Sequence, residues 1–225
     1  MDIFCDHALT CSCNGDRTVR QNALRNEAHR YGKAAGVNPV KEKPELLAPR
    51  PGADTIRETS ASNGRRPADI WLPQFQDSEP AALDFAVTSG LKADMLQQSA
   101  IDATRVLNSY EDGKRQYQNT ADQCRQVGLQ FLPMVVKAHS GAWGTTAKGV
   151  WTTFAKSYAT SAGVPTSEAC AILSQRLSTT LHRVNARAVL RRLSVSEPGS
   201  ADFPHAVAWS DALDLEDSAM DLICV

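Results

Sequence analysis

Apolar residues recur at three- and four-residue steps early in the chain: Val19, Ala23, Leu24, Ala28, Tyr31 and Ala35. That period predicts an amphipathic helix over 17–36. Gly36 supplies the residue type that closes helices in a left-handed conformation. A short strand is expected near 37–43. From 44 to 66 the pattern dissolves into Pro, Gly, Ser and Arg, which reads as a loop. Two apolar runs follow, Pro67-Ala68-Asp69-Ile70-Trp71-Leu72 and Ala82-Leu83-Asp84-Phe85-Ala86-Val87-Thr88. Gln76-Asp77-Ser78-Glu79-Pro80 between them suits a hairpin connection.

Helical periodicity returns over 92–127, where Leu96, Ala100, Ala103, Leu107, Tyr110, Lys114, Tyr117, Ala121 and Cys124 form a seam. Gly113 is the expected point of a bend or break. Phe131-Leu132-Pro133-Met134-Val135-Val136 reads as a buried strand, with Pro133 unusual in such a place. Beyond the Gly-containing turn at 139–144, helices are predicted over 146–162 and 166–193. The second carries the seam Leu173, Leu177, Leu181, Val184 and Ala188. From Ser194 the chain turns Pro-, Ser- and acid-rich, and a poorly ordered tail is expected. The order of elements implies an α/β layer architecture around a small mixed sheet, followed by C-terminal helices.

Composition narrows the classes. The chain has 225 residues, with 24 Lys plus Arg against 25 Asp plus Glu and a net charge of −1. That balance excludes a mass-charge nucleic-acid binder but leaves a local basic surface open. The six cysteines include Cys5, Cys11 and Cys13 at the start and form no disulfide framework. The first residues are too polar for a signal-peptide core, and no apolar run reaches membrane-spanning length. The expectation is an intracellular protein, the nucleus included, that is neither secreted nor membrane-bound. Phosphate-loop, nucleophile-elbow and dinucleotide motifs are absent from the sequence.

The chemistry rests on acidic residues in apolar strands. Aspartate is depleted in strands and costly to bury without a partner. Asp69 and Asp84, in adjacent strands of a hairpin, can bring two carboxylates together, and a hard divalent cation is the natural way to relieve their repulsion. The plainer alternative puts each at a strand end facing water. Glu27 lies in the apolar stripe of the first helix, either as a third acid or as a stripe-edge residue with a wet head. Lys114 occupies a seam position and either snorkels or meets the carboxylates. Together Glu27, Asp69, Asp84 and Lys114 suggest metal-assisted hydrolysis. The three acids would hold Mg²⁺ or Mn²⁺, and the lysine would serve the attacking water and the phosphate.

Arg66-Pro67-Ala68-Asp69-Ile70 followed by Leu83-Asp84-Phe85-Ala86-Val87-Thr88 resembles the core of the PD-(D/E)xK nuclease superfamily. The likeness is to the restriction-endonuclease-like domains of retroelement (non-LTR retrotransposon-type) proteins, and it spans residues 17–145. It implies an αβββαβ core, a DNA substrate, and catalytic positions at Glu27, Asp69 and Asp84. The family's lysine stands two residues after the second acid, where this chain has Ala86. Some members supply it from the following helix, which points to Lys114. The resemblance divides the chain into a Cys/His segment at 1–16, the nuclease-like core at 17–145, a helical extension at 146–193 and the tail at 194–225. Cys5, His7, Cys11 and Cys13 are candidate Zn²⁺ ligands as the remnant of a zinc knuckle, or else loose thiols near a terminus. Arg17, Arg20 and Arg25 on the first helix, and Arg176, Arg183 and Arg187 on the last, are candidate phosphate contacts or solvated flanks. Two alternatives stay beside the nuclease: a degenerate nucleic-acid-binding remnant of the same fold, and a helical interaction domain.

Overall fold

The computed structural model describes residues 15–48, 65–91, 95–102 and 104–195, together with Leu9. The expected Cys/His segment at 1–16, apart from Leu9, Gly15 and Asp16, and all but the first two residues of the tail at 194–225 lie outside the described residues. The described chain is α/β.

The first helix, α1 (Asp16–Ala34), is bracketed by Gly15 at φ 74° and Gly36 at φ 72°. Both are conformations that glycine takes without a Cβ clash. Its stripe buries Leu24, Ala28, Tyr31 and Ala35, but Val19 faces solvent. The strand expected at 37–43 is reduced to β1 (Val40–Lys41). Next come β2 (Ile70–Leu72), a 3-10 turn at Gln76–Ser78, and β3 (Ala81–Thr88). The periodicity of 92–127 resolves into α2 (Leu96–Ile101), α3 (Arg105–Gln116) and α4 (Thr120–Gln126). The expected break at Gly113 is corrected: Gly113 sits inside α3, and the chain turns at Gln118 (φ 52°) and Asn119 (φ 57°) instead. Two successive left-handed residues interrupt the hydrogen-bond ladder more sharply than a glycine that keeps helical angles. Then follow β4 (Gln130–Lys137), α5 (Thr145–Ala162) and α6 (Thr166–Val195).

The sheet order is β1-β2-β3-β4. The first two pairings are antiparallel and β3 runs parallel to β4, with Asp84 opposite Pro133. The proline is accommodated by its position. Gln130 donates its N–H to Pro80 on the β3 side, and Lys137 donates to Ala142 on the other side. Alternation therefore turns the nitrogen of residue 133 away from β3, where no ladder bond is lost.

Strand alternation sorts the layers. Leu83 and Phe85, with Ile70, Leu72, Met134 and Val136, face the main core against α1, α5 and α6. That core takes in Leu24, Tyr31, Trp151, Phe154, and the Leu173, Leu177 and Leu181 seam. Ala82 and Ala86 face the opposite side, against Cys124 of α4 and Leu107 of α3. Asp84, between them in sequence and in phase, belongs to that second face.

Candidate active site

The β2–β3 register ends at Ile70↔Leu83, and Asp69 stands just outside it, close enough to Asp84 for its charge to act on that carboxyl. Asp84 lies on the side covered by α3, where Lys114 meets it. Asp69 stands just before β2. Its N–H donates to Leu83 O (2.9 Å), and its Oδ2 accepts the N–H of Phe85 (2.8 Å). The side chain thus replaces a ladder partner where β2 begins. The same Oδ2 accepts Gln21 Nε2 from α1 (3.0 Å).

Asp84 forms an ion pair through Oδ2 with Lys114 Nζ at 2.8 Å, with both side chains mostly covered. Burial pushes the Asp84 carboxyl above its ordinary value. Lys114 pulls it back, and the Asp69 carboxylate adds to the rise. Removal from water therefore outweighs the lysine. A carboxylate held at such a cost suits a site that receives a further positive charge. Arg65, Arg66, Pro67, Thr120 and Phe131 line the same cleft, which encloses about 380 Å³.

Lys114 reaches Asp84 because α3 is pinned one turn earlier. Glu111, three residues before it, is buried. Its carboxylate accepts the N–H of Thr146 (3.2 Å) and the Thr146 hydroxyl (2.6 Å) in the first turn of α5. Arg115 donates to the same carboxylate (3.3 Å). A carboxylate at a helix start satisfies donors that have no partner within the helix and opposes the positive end of its dipole.

Glu27 requires a correction. The structure does not bring it to the Asp69–Asp84 pair. Its buried carboxylate is held by Arg176 of α6 and by Arg30 at 2.9 Å. It follows Gln21 by six residues, about two-thirds of a turn round the helix, so it faces α6 while Gln21 faces Asp69. Among the described residues, no three His, Cys, Asp or Glu side chains come together as a metal-binding group. The zinc candidates Cys5, His7, Cys11 and Cys13 lie outside the described residues.

The basic residues divide. Arg17 is exposed and donates to Tyr110 Oη of α3 (3.1 Å), on the Lys114 side of the molecule. Arg20 is 1% exposed, which removes it from any phosphate surface. Arg25 is largely covered and engaged by Glu42 and Asn26. Arg176 and Arg183 line a separate cleft with Glu27, and Arg187 is half-buried on the same helix. Sequence reasoning missed Gln21, Arg65 and Glu111 as contributors. The polar Gln21 beside the apolar stripe was a weak signal; Glu111 gave none, because its partner lies 35 residues away.

No protein-family model matches the chain, and no curated protein sequence matches it. Among the described residues no helix is long and apolar enough to cross a membrane.

Proposed function

We propose that the chain is a metal-dependent endonuclease-like domain of restriction-endonuclease-like core, retroelement-derived, that hydrolyses DNA phosphodiesters. The observation that carries this reading is the Lys114–Asp84 ion pair, with the Asp69 carboxylate near enough to raise the Asp84 carboxyl. The donor chemistry fits Mg²⁺ or Mn²⁺. The described hydrogen bonds and ion pairs to the two aspartates use Oδ2, which leaves both Oδ1 atoms for a hard cation that usually takes one or two carboxylates plus phosphate and water. When bound, such an ion polarises a phosphoryl oxygen and acidifies water. Asp84 and Asp69 would hold it, in place of the three-acid set that included Glu27. Lys114 would offset negative charge developing on the phosphate, and Arg65 and Arg66 would orient the strand along the cleft.

The test is nicking of supercoiled plasmid with Mg²⁺ or Mn²⁺. Asp84→Ala should abolish cleavage while leaving DNA binding largely intact; equal cleavage by both proteins refutes the assigned site. One observation favours a second reading: the engagement of Glu27 by Arg176 and Arg30 takes away the third acid. A wild-type protein that binds DNA but never nicks it would establish the binding-only remnant.

A further inference from the structure

A second cleft adjoins the first. It encloses about 400 Å³ and is lined by Arg17, Ser109, Tyr110, Gly113, Lys114 and Tyr117. Lys114 and Tyr117 also line the Asp84 cleft, so the two cavities share a rim. Residues 110, 113, 114 and 117 follow the i, i+3, i+4, i+7 pattern of one helix face. At one end of that face Tyr110 packs on Ala86, Leu107 and Val135 and is tethered by Arg17. At the other end Tyr117 is 65% exposed, an uncommon position for an aromatic ring at a helix end.

The surroundings of Tyr117 are fixed. Gln118 and Asn119 follow it in the left-handed region, and the Thr120 hydroxyl bonds back to its carbonyl (2.7 Å). Between the two tyrosines, Gly113 keeps the wall open: a Cβ there would meet nothing within 4 Å. A glycine inside a helix is disfavoured relative to alanine, and no packing contact in the structure asks for this one. An exposed ring, open space beside it at Gly113, and the cations Arg17 and Lys114 in the same lining match the stacking platform used for unpaired bases.

We propose that this second cleft receives an unpaired or flipped nucleobase next to the scissile phosphate, stacked on Tyr117, with Arg17 on the neighbouring backbone. The inference rests on the nuclease reading and narrows its substrate class to DNA with unpaired nucleotides at the cut. A base held in a duplex stays in its own stack and cannot enter a lateral cleft without leaving it.

The test compares binding of a labelled single-stranded oligonucleotide and of the matching duplex to the full chain in EDTA, by fluorescence anisotropy. A 2-aminopurine base in the single strand reports stacking through quenching. Tyr117→Ala should weaken single-strand binding about tenfold and relieve the quenching, with duplex binding changed less than twofold. Tyr117→Phe should keep both signals. Gly113→Leu should fill the cleft and weaken single-strand binding without lowering the melting temperature. Unchanged single-strand affinity in Tyr117→Ala, or an equal loss on duplex, overturns the base subsite even while Asp84-dependent nicking persists. Absence of both nicking and DNA binding in the wild type overturns the nuclease reading, and the subsite with it.

Discussion

Gly144→Ala adds a single methyl group at the start of α5, and the structure states what it meets. Gly144 has φ −66° and ψ 167°, which alanine adopts freely, and its N–H bond to Val135 O (2.9 Å) survives the change. Backbone strain is therefore excluded as a cause. The new Cβ would overlap Oε1 of Glu111 and lie 2.9 Å from its Cδ. Glu111 must swing away, although it is buried and holds the Thr146 N–H, the Thr146 hydroxyl and Arg115. Losing one hydrogen bond to a charged group costs about 1.5–3 kcal/mol. Alanine for glycine at a compatible position returns about 0.4–1 kcal/mol through the unfolded chain. The net expectation is a loss of roughly 1–2 kcal/mol, or a drop in Tm of about 2–8 °C for a domain of this size. Urea melts of wild type, Gly144→Ala, Glu111→Ala and the double variant form the assay. In the Glu111→Ala background the clash is gone, and Gly144→Ala should become neutral or stabilising. A Gly144→Ala protein as stable as wild type, or additive effects in the double variant, would refute the claim that Glu111 pins α3 to α5. The same displacement moves the turn that carries Lys114, so nicking should fall along with stability.

Two further outcomes follow from titratable groups. The Asp84 carboxyl is raised, chiefly by burial and also by Asp69, so its contribution favours folding when protonated and is lost as pH rises through the raised folded value. Asp84→Asn should therefore increase the urea midpoint at pH 7, by about 0.5–2 kcal/mol in stability, while abolishing cleavage; the gain should shrink toward pH 3.8, and destabilisation at pH 7 would contradict it. His29 is held below 6.5 by burial first and then by Lys41 and Lys33. The unfolded chain then binds the extra proton more readily, so stability should decline as pH falls from about 6.5 toward the folded value. His29→Gln should flatten that slope in urea midpoints measured between pH 7 and 5.

The hydrophobic pattern by itself determined the order of elements and the main core. Leu24, Ala28 and Tyr31 on α1, and Leu173, Leu177 and Leu181 on α6, are buried as their spacing requires. It also marked Asp69, Asp84 and Lys114, because a charged residue in an apolar run is conspicuous whatever it touches. It did not place the helix break: Asn119 is a residue type that tolerates left-handed angles but Gln118 is not, and Gly113 invited a break that packing did not need. Nor could it divide the acids. Asp69 and Asp84 came close because the Asp69 side chain caps the start of β2 on the Phe85 N–H, next to Asp84 in β3; Glu27 went to Arg176, a residue 149 positions away, because its angle around α1 faces α6. Periodicity along a chain fixes which side of an element is apolar. The identity of the partner across the gap depends on how the layers dock, and that is decided by the packing of the whole core rather than by any local run of residues.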